Sequence, residues 1–520
     1  MDGVFPKTMQ QMDRRTIDHI GTPGVVLMDR ASRGAVEILV EHLGLTSPCR
    51  PLFLCGPGNN GGDGLAMATL LHHGGHRPRC LLLSSADELS DDGSTYFRIA
   101  TNLGIPIDIA DNDADLRSQL AGYDDHCFDF VGDALLGTGL DRPLEGRFRR
   151  AVDWLCGQSS PIVAVDIPTG LDGKSGQVLG AAARADLTTT FGFAKTGQLL
   201  DPGRQYCGHL AVIDIGIPPE VRDHIGVDAR VLDLPWLMTH TSRRAPDLHK
   251  GNAGRTLMVG GRPPTPGAIL LASRAALVGG AGLVTVATDA RTAMMAPQRT
   301  PEIMGQAIID EDRQLCERRL QSLLQGTDGA VIGPGLGTDA RAEAILDLCL
   351  SEESTSFVLD ADALNVLASR GPAGHRDIRQ VADHLPCILT PHPAEMARLL
   401  DRPIADVLSS PIESTQALAQ STSAVVIHKS AVTVVADPDD QLAINRTGNP
   451  GMATGGMGDA LAGLCASALC EFTDPFEASC HAVALHGTAG DRAAAHRGQR
   501  GLTVEALLDE IPSLWQSLER

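Results

Sequence analysis

The chain is poor in lysine: of 43 basic residues among 520, only Lys7, Lys174, Lys195, Lys250 and Lys429 are lysines. Lys195, Lys250 and Lys429 fall inside motifs described below, which points to a compact point charge where an arginine fork would serve poorly. No window offers about 20 uninterrupted apolar residues, so a membrane span is not expected. Met1–Arg15 lacks the basic-then-apolar pattern of a secretory signal, and a soluble cytoplasmic protein is expected. None of the 12 cysteines forms a C-x-x-C pair; the nearest are Cys465 and Cys470. That removes support for a zinc site or a disulfide framework and leaves the thiols as small apolar residues. Basic charge is also short. A net charge of −21 argues against nucleic acid as partner, because binding its backbone needs a basic face. There is no G-x-x-x-x-G-K-[ST], so a P-loop enzyme is excluded.

What the chain does have is 56 glycines in short clusters and a hydrophobic fraction of 43%. Its length predicts two domains. Short apolar runs alternate with amphipathic stretches, the pattern of βαβ units around parallel sheets. In the first half 50–55, 79–84, 126–130, 162–166 and 187–190 read as strands. The stretches 64–73 and 94–103 read as helices, and 7–42 as mostly helical with a break at 21–24. In the second half the strands read at 256–259, 283–287, 329–332, 357–359, 387–389, 424–427 and 433–436. The rhythm falters between, so the domains are placed at 1–222 and 241–520, with a linker at 223–240. Their glycine motifs differ, which indicates a fusion of two α/β domains and not a repeat.

In the first half a strand runs into Gly56-Pro57-Gly58-Asn59-Asn60-Gly61-Gly62-Asp63-Gly64. The spacing satisfies G-x-G-x-x-G, a weak signal alone. No acidic residue stands about 20 positions later to hold a ribose, which counts against a dehydrogenase. The loop still suits an anion or nucleotide at a helix N-terminus. Two further loops should meet it in one crevice: 132–140, with Asp133, and 165–172, with Asp166 and Thr169. Asp166 at a strand end is an acid–base candidate or a buried turn-capping carboxylate. Amide, carboxylate and hydroxyl oxygens together suit a hard cation of unspecified identity.

These three motifs, G-x-G-N-N-G-G-D-G, D-x-x-x-G-T-G and V-D-I-P-T-G-L-D, resemble those of the NAD(P)H-hydrate epimerase domain, over about residues 5–220. The resemblance implies a Rossmann-like doubly wound sheet. It implies a hydrate pocket lined by Asn59, Asn60, Gly61, Gly62, Asp63, Gly137, Thr138, Gly139, Leu140, Asp141, Arg142, Pro143 and Asp166. Asn60, Asp133 and Thr169 would hold a potassium ion, Thr169 standing where the family often has serine. Lys195 matches a family segment and joins Asp166 as a catalytic candidate.

The strongest signal in the second half is Gly448-Asn449-Pro450-Gly451-Met452-Ala453-Thr454-Gly455-Gly456-Met457-Gly458-Asp459 ahead of a helical run at 460–469. Glycines at a helix start offer bare N–H groups and a positive dipole end to an anion. The aspartate beside them is placed to take a proton from a hydroxyl nucleophile. With G-P-G-L-G at 333–337, L-D-A-D-A-L-N at 359–365, T-P-H-P-A-E-M at 390–396 and H-K-G-N-A-G at 249–254, the segment resembles the nucleotide-dependent NAD(P)H-hydrate dehydratase domain, over about residues 240–515. That implies a ribokinase-like α/β fold. Ala268, Gly335, His392 and Asp459 would contact the hydrated dinucleotide. Lys429, Ser430, Ala431, Val432, Thr433 and Gly458 would hold the adenine nucleotide, with Asp459 catalytic.

Ser430 and Ala394 stand where glycine is usual. The fused arrangement implies ADP as co-substrate with Mg²⁺, although the residues themselves do not separate ADP from ATP. The expected activity is repair of NADHX and NADPHX: epimerisation of R and S forms, then dehydration of S. The expected partners are these small molecules, with no nucleic acid and no membrane, in a homo-oligomer. A rival reading is a small-molecule kinase of the thiazole- or pyrimidine-kinase type with an accessory nucleotide-binding domain, which would accumulate a phosphorylated product instead of free phosphate.

Overall fold

A computed structural model describes residues 2–45, 48–123, 127–309 and 313–519. The chain divides into two compact units, Asp2–Ala229 and Arg230–Arg520. The first opens with β1 (Asp2–Val4), α1 (Pro6–Asp18) and α2 (Gly24–His42). Alternating units follow: β2 (Leu52–Cys55), α3 (Asn59–His73), β3 (Arg79–Leu82), α4 (Asp91–Asn102), β4 (Ile107–Ile109) and α5 (Asp113–Tyr123). Then come β5 (Val131–Ala134), α6 (Gly146–Leu155), β6 (Ile162–Val165), β7 (Leu187–Phe191) and β8 (Ala194–Lys195). The unit ends with α7 (Thr196–Leu199), α8 (Gly203–Cys207), β9 (His209–Ile213) and α9 (Pro219–Ile225).

Its parallel sheet runs β4-β3-β2-β5-β6-β7-β9. This Rossmann-type order reverses direction between β2 and β5, and in such sheets ligands bind at that switch point. The central strands are buried along their whole length, as strands covered on both faces must be. Gly56, after β2, lies so close to the chain after β5 that a Cβ would sit 1.8 Å from Leu135 O. Gly64 lets α3 rest on the sheet, with Ala134 Cβ and Cys55 Sγ at 2.6 and 3.0 Å from where its Cβ would be.

Most expected strands of this half appear within a residue or two; the one expected at 126–130 is a correction. His126 lies outside the described residues, and 127–130 are not strand. The ladder sits at Val131–Ala134, in register Leu52↔Val131. Gly132 and Asp133 made this segment look like a loop. Glycine is required at 132 because the Phe53 ring covers it, 2.3 Å from where a Cβ would stand. The helix expected to start at Gly64 begins earlier, at Asn59, so the Asn-Asn-Gly-Gly-Asp run forms its first turns.

The second unit continues with β10 (Ala229–Leu232), α10 (Leu234–Thr239), β11 (Arg255–Val259), α11 (Pro266–Gly279), β12 (Leu283–Asp289), α12 (Ala290–Arg299), β13 (Ile303–Ile309) and α13 (Arg313–Leu324). Next are β14 (Gly329–Ile332), α14 (Ala340–Leu350), β15 (Ser356–Leu359), α15 (Asp362–Ser369), α16 (Pro372–Ala382), β16 (Cys387–Leu389), α17 (Pro393–Leu400), α18 (Ile404–Ser409) and α19 (Pro411–Thr422). It closes with β17 (Val425–His428), β18 (Val434–Ala436), β19 (Leu442–Asn445), α20 (Met457–Ala468), α21 (Pro475–Arg497) and α22 (Val504–Leu518).

The sheet order is β13-β12-β11-β14-β15-β16-β17-β18-β19-β10, parallel except for the hairpins β17-β18 and β18-β19. Here the order reverses between β11 and β14, where a Cβ on Gly260 would meet Pro334 O at 2.3 Å. The stretch 223–240 is no open linker: it holds the end of α9, then β10 and α10, and β10 pairs with β19 (Arg230↔Ala443). Sequence periodicity missed β1, β4, β8, β9, β10, β13 and β19. β13 and β9 carry partly exposed positions, so their apolar signal is weak.

Candidate active sites

At the switch point of the first unit lies a cavity of about 960 Å³. Asn59, Asn60 and Asp63 reach it from α3, residues 137–143 from the loop after β5, Asp166 from the end of β6 and Lys195 from β8. Gly61 and Gly62 do not line it. A Cβ on Gly61 would strike Gly56 O at 1.9 Å, and one on Gly62 would meet Met28 Cε at 2.7 Å. Both are needed for the helix to pack.

Asp166 adopts a left-handed backbone (φ 63°), uncommon for a residue with a Cβ. Its neighbours hold that conformation. Gln198 Nε2 donates to its carbonyl at 2.6 Å, and Phe191 N and Thr190 Oγ1 donate to Oδ1 at 3.1 and 3.2 Å. The Lys195 ammonium, 1% exposed, donates to Asp166 Oδ1 at 2.5 Å, to Thr190 Oγ1 at 2.9 Å and to Phe191 O at 3.0 Å. The ammonium thus has three acceptors, one of them Asp166. The scarcity of lysine in the sequence is the signal that singles it out.

Asp133 is fully buried. Its Oδ2 accepts from Thr169 N at 2.8 Å and its Oδ1 from Thr169 Oγ1 at 2.6 Å. Burial raises its pKa, against the pull of these hydrogen bonds. Neither Asp133 nor Thr169 lines the main cavity. Both amide atoms of buried Asn60 lack a partner among the described residues, and such orphaned groups call for a ligand or ion. Gly137 passes within 3.5 Å of the Asn60 side chain, measured from the position of an added Cβ. Among the described residues no trio of His, Cys, Asp or Glu is set to bind a metal. An ion here would therefore need amide, hydroxyl and carboxylate oxygens, which suits a hard cation.

Two carboxyls in this pocket went unremarked or underweighted in the sequence. Asp13, on α1, lines the cavity; its Oδ1 is buried without a partner among the described residues, and burial pushes its pKa to about 6. Asp63 is raised well above its usual range, by burial and then by the charges of Asp166 and Asp13. The one sequence signal for Asp13 is its spacing four residues after buried Met9, which places it on the inward side of α1.

In the second unit α20 starts after Gly456, whose left-handed φ of 94° suits glycine. Asp459 stands in its first turn. Burial, then the charges of Asp360 and Asp362 against that of Lys429, bring Asp459 to a pKa of about 6. Lys429 donates to Asp360 Oδ1 at 2.6 Å. Burial opposes its charge, but Asp360 and Glu395 more than offset this. A Cβ on Gly458 would come within 3.1 Å of Lys429 Nζ. The helix start and the lysine therefore share one spot, as a phosphate site requires.

His392 caps α17. Its Nδ1 accepts from Ala394 N at 3.1 Å and Glu395 N at 3.3 Å, while Glu395 Oε2 accepts from His392 N at 2.9 Å. Burial and the nearby Lys429 lower the His392 pKa, and the half-exposed ring approaches Glu395 Oε1 through Nε2 at 3.3 Å. Glu395 is pushed up to about 7 by burial. Ser430 donates to Val432 O at 2.6 Å and tightens its loop, while Val432 points into the core. Gly335 (φ 63°) lies against Thr265, ahead of Ala268 on α11.

A Rossmann-ordered unit with an acid-lined pocket, joined to a ribokinase-like unit whose glycine-opened helix carries an aspartate beside a lysine, defines a two-site α/β enzyme of the nucleotide-handling class. Residues 24–197 match the family model described as YjeF-related protein N-terminus, and residues 256–513 that described as NAD(P)H-hydrate dehydratase. The bifunctional NAD(P)H-hydrate repair enzyme of Moorella thermoacetica is 36% identical over 99% of this chain and 97% of its own length. That of Escherichia coli is 33% identical over 98% and 92%. A crystallised ADP/ATP-dependent NAD(P)H-hydrate dehydratase from Bacillus subtilis, grown with ATP and Mg²⁺, superposes with a TM-score of 0.50 at 27% identity, covering 56% of this chain and all of that one. The chain belongs to the bifunctional NAD(P)H-hydrate repair enzymes, which join an epimerase to a dehydratase.

Proposed function

We propose that the Asp2–Ala229 unit interconverts R and S forms of NADHX and NADPHX, and that the Arg230–Arg520 unit dehydrates the S form at the expense of ADP, giving AMP and phosphate. The placement of Asp459 carries the second half of this reading. It stands in the first turn of a glycine-opened helix, beside a lysine pinned by Asp360. The ring hydroxyl attacks the terminal phosphorus of ADP, Asp459 takes its proton, and AMP leaves with the electrons of the broken P–O bond. The N–H groups at 456–458 and Lys429 bear the charge of the phosphoryl group in transit. Phosphate then departs from the ring carbon far more readily than hydroxide, and loss of a proton from the adjacent carbon restores NADH or NADPH.

The Lys429–Thr433 loop and Gly458 hold the nucleotide, while Ala268, Gly335 and His392 seat the hydrated dinucleotide. Magnesium bound with the nucleotide would offset phosphate charge. In the first unit the 137–143 loop, Asn59, Asn60 and Asp63 receive the hydrate. Asp166, oriented by Lys195, serves in proton transfer. The orphaned Asn60 amide, with Asp133 and Thr169, fits a potassium ion.

The test uses purified protein with potassium, mixed R- and S-NADHX and either ADP or ATP, followed by NADH absorbance. Recovery of both forms only with nucleotide supports the reading, and the faster nucleotide identifies the co-substrate. A phosphorylated product without NADH would return the second unit to the small-molecule kinases. Asp459→Asn should reduce dehydration by about 10²–10⁴-fold while epimerisation continues; dehydration at the wild-type rate would refute the assignment.

A further inference from the structure

The epimerase pocket places two acidic groups in opposite electrostatic settings. Asp166 is an ion-paired carboxylate, bonded to Lys195 at 2.5 Å and to the backbone of Phe191. Asp13 comes from a different element, α1. It lines the same cavity, and its Oδ1 is buried without a hydrogen-bond partner among the described residues. The charged groups that act on it are Lys195 from β8 and Asp166 after β6, and it acts in turn on Asp63 of α3. Burial is the largest influence, and it favours the protonated form. A buried carboxyl with a partnerless oxygen and a second carboxyl held by a lysine, both lining one cavity, supply the two groups that an acid–base pair needs.

Epimerisation makes that demand. The hydroxyl-bearing carbon of the hydrate adjoins the ring nitrogen, whose lone pair can displace the hydroxyl. Inversion by this route needs an acid to carry off the departing oxygen and a base to activate the water that returns. We propose that Asp13 is a catalytic residue of the epimerase, the proton donor that acts as partner to Asp166. This rests on the epimerase reading of the first pocket.

In the step, the C–O bond breaks and its electron pair stays on oxygen, which takes the Asp13 proton and becomes water. The nitrogen lone pair forms a C=N bond, leaving an iminium ring. Water adds to the opposite face of that carbon, the C=N electrons return to nitrogen, and Asp166 accepts the proton that water gives up. The net result is inversion, with one proton moved from Asp13 to Asp166. Exchange with solvent resets the pair, and the reverse epimerisation runs with the roles exchanged. Asp13 precedes residues 24–197, the stretch matched by the amino-terminal family model, so that match does not bear on it.

The test compares wild type with Asp13→Asn, which keeps size and hydrogen-bonding capacity but cannot transfer a proton. R-NADHX with excess ADP, Mg²⁺ and potassium reports epimerisation through the chain's own dehydratase, after subtraction of the spontaneous rate; S-NADHX normalises for the amount of enzyme. The expected result is a fall of about 10²–10⁴-fold in kcat from R-NADHX, with KM within about threefold and a Tm at pH 8 no lower than wild type. In heavy-oxygen water the wild-type product should carry solvent oxygen at the inverted carbon.

Epimerisation by Asp13→Asn within about threefold of wild type would overturn the proposal. So would a loss that appears chiefly in KM or in a lowered Tm, or retention of the original oxygen. Failure of the wild type to convert R-NADHX above the spontaneous rate would instead remove the epimerase reading itself.

Discussion

Asp459 pays for its position in the second site with a carboxylate held against its surroundings. With its pKa near 6, above the ordinary value of about 3.9, ionisation costs the folded state more than the unfolded one. That contribution to stability is fully present below the unfolded value and is lost as pH rises through about 6. Asp459→Asn should therefore raise Tm at pH 8, and the gain should shrink as pH falls from 6 toward 4; scanning calorimetry across that range checks it. Activity has the opposite sign. A base must be ionised, so kcat/KM for dehydration should drop about tenfold per pH unit below 6. Asp360→Asn should leave Lys429 without its anchor and raise KM for ADP by about tenfold, with a smaller change in kcat, as initial rates would show. Asp166, Lys195 and Asp459 were legible in the sequence as candidates, because each sits in a motif with glycine or proline neighbours, and Lys429 stood out as one of only five lysines. Asp13 and Asp360 acquire their settings from partners remote in sequence, and no local pattern carries that. The Lys429–Asp360 bond alone spans 69 residues.

Elements carry these side chains, and their packing sets how well the side chains meet. The helix α20 lies against α11 through Gly463, where an added Cβ would stand 2.0 Å from Ala272 O. Gly463→Ala should push the two helices apart and cost about 1–3 kcal/mol, measurable by denaturant titration. Since Asp459 rides on α20, kcat for dehydration should fall as well. In the first unit the helix α3 was expected to begin after the glycine motif, yet its first turns contain Asn59–Asp63. The glycines there looked like loop formers, whereas Gly61 and Gly62 let the helix approach the backbone of Gly56 and the side chain of Met28. Strand β5 was displaced for the same reason: Gly132 and Asp133 disguise a ladder that long-range pairing with β2 makes regular.

At the scale of the whole molecule, each unit has its own hydrophobic core. A fragment spanning 230–520 should therefore dehydrate S-NADHX with ADP on its own and leave R-NADHX unrepaired, a result that NADH recovery assays would show directly. A fragment without this activity would mean that the second unit depends on the first. The alternation of apolar strands and amphipathic helices determined by itself that the chain is a pair of α/β units, because burial on both faces of a parallel sheet imposes that period. The glycine clusters likewise determined where anions could meet helix starts, since only residues without a Cβ allow the close approach. Tertiary structure alone decided which carboxyls meet inside each pocket and which are left without partners. Those outcomes depend on burial and on distances between segments remote in sequence, and both exist only once the sheets have closed around their switch points.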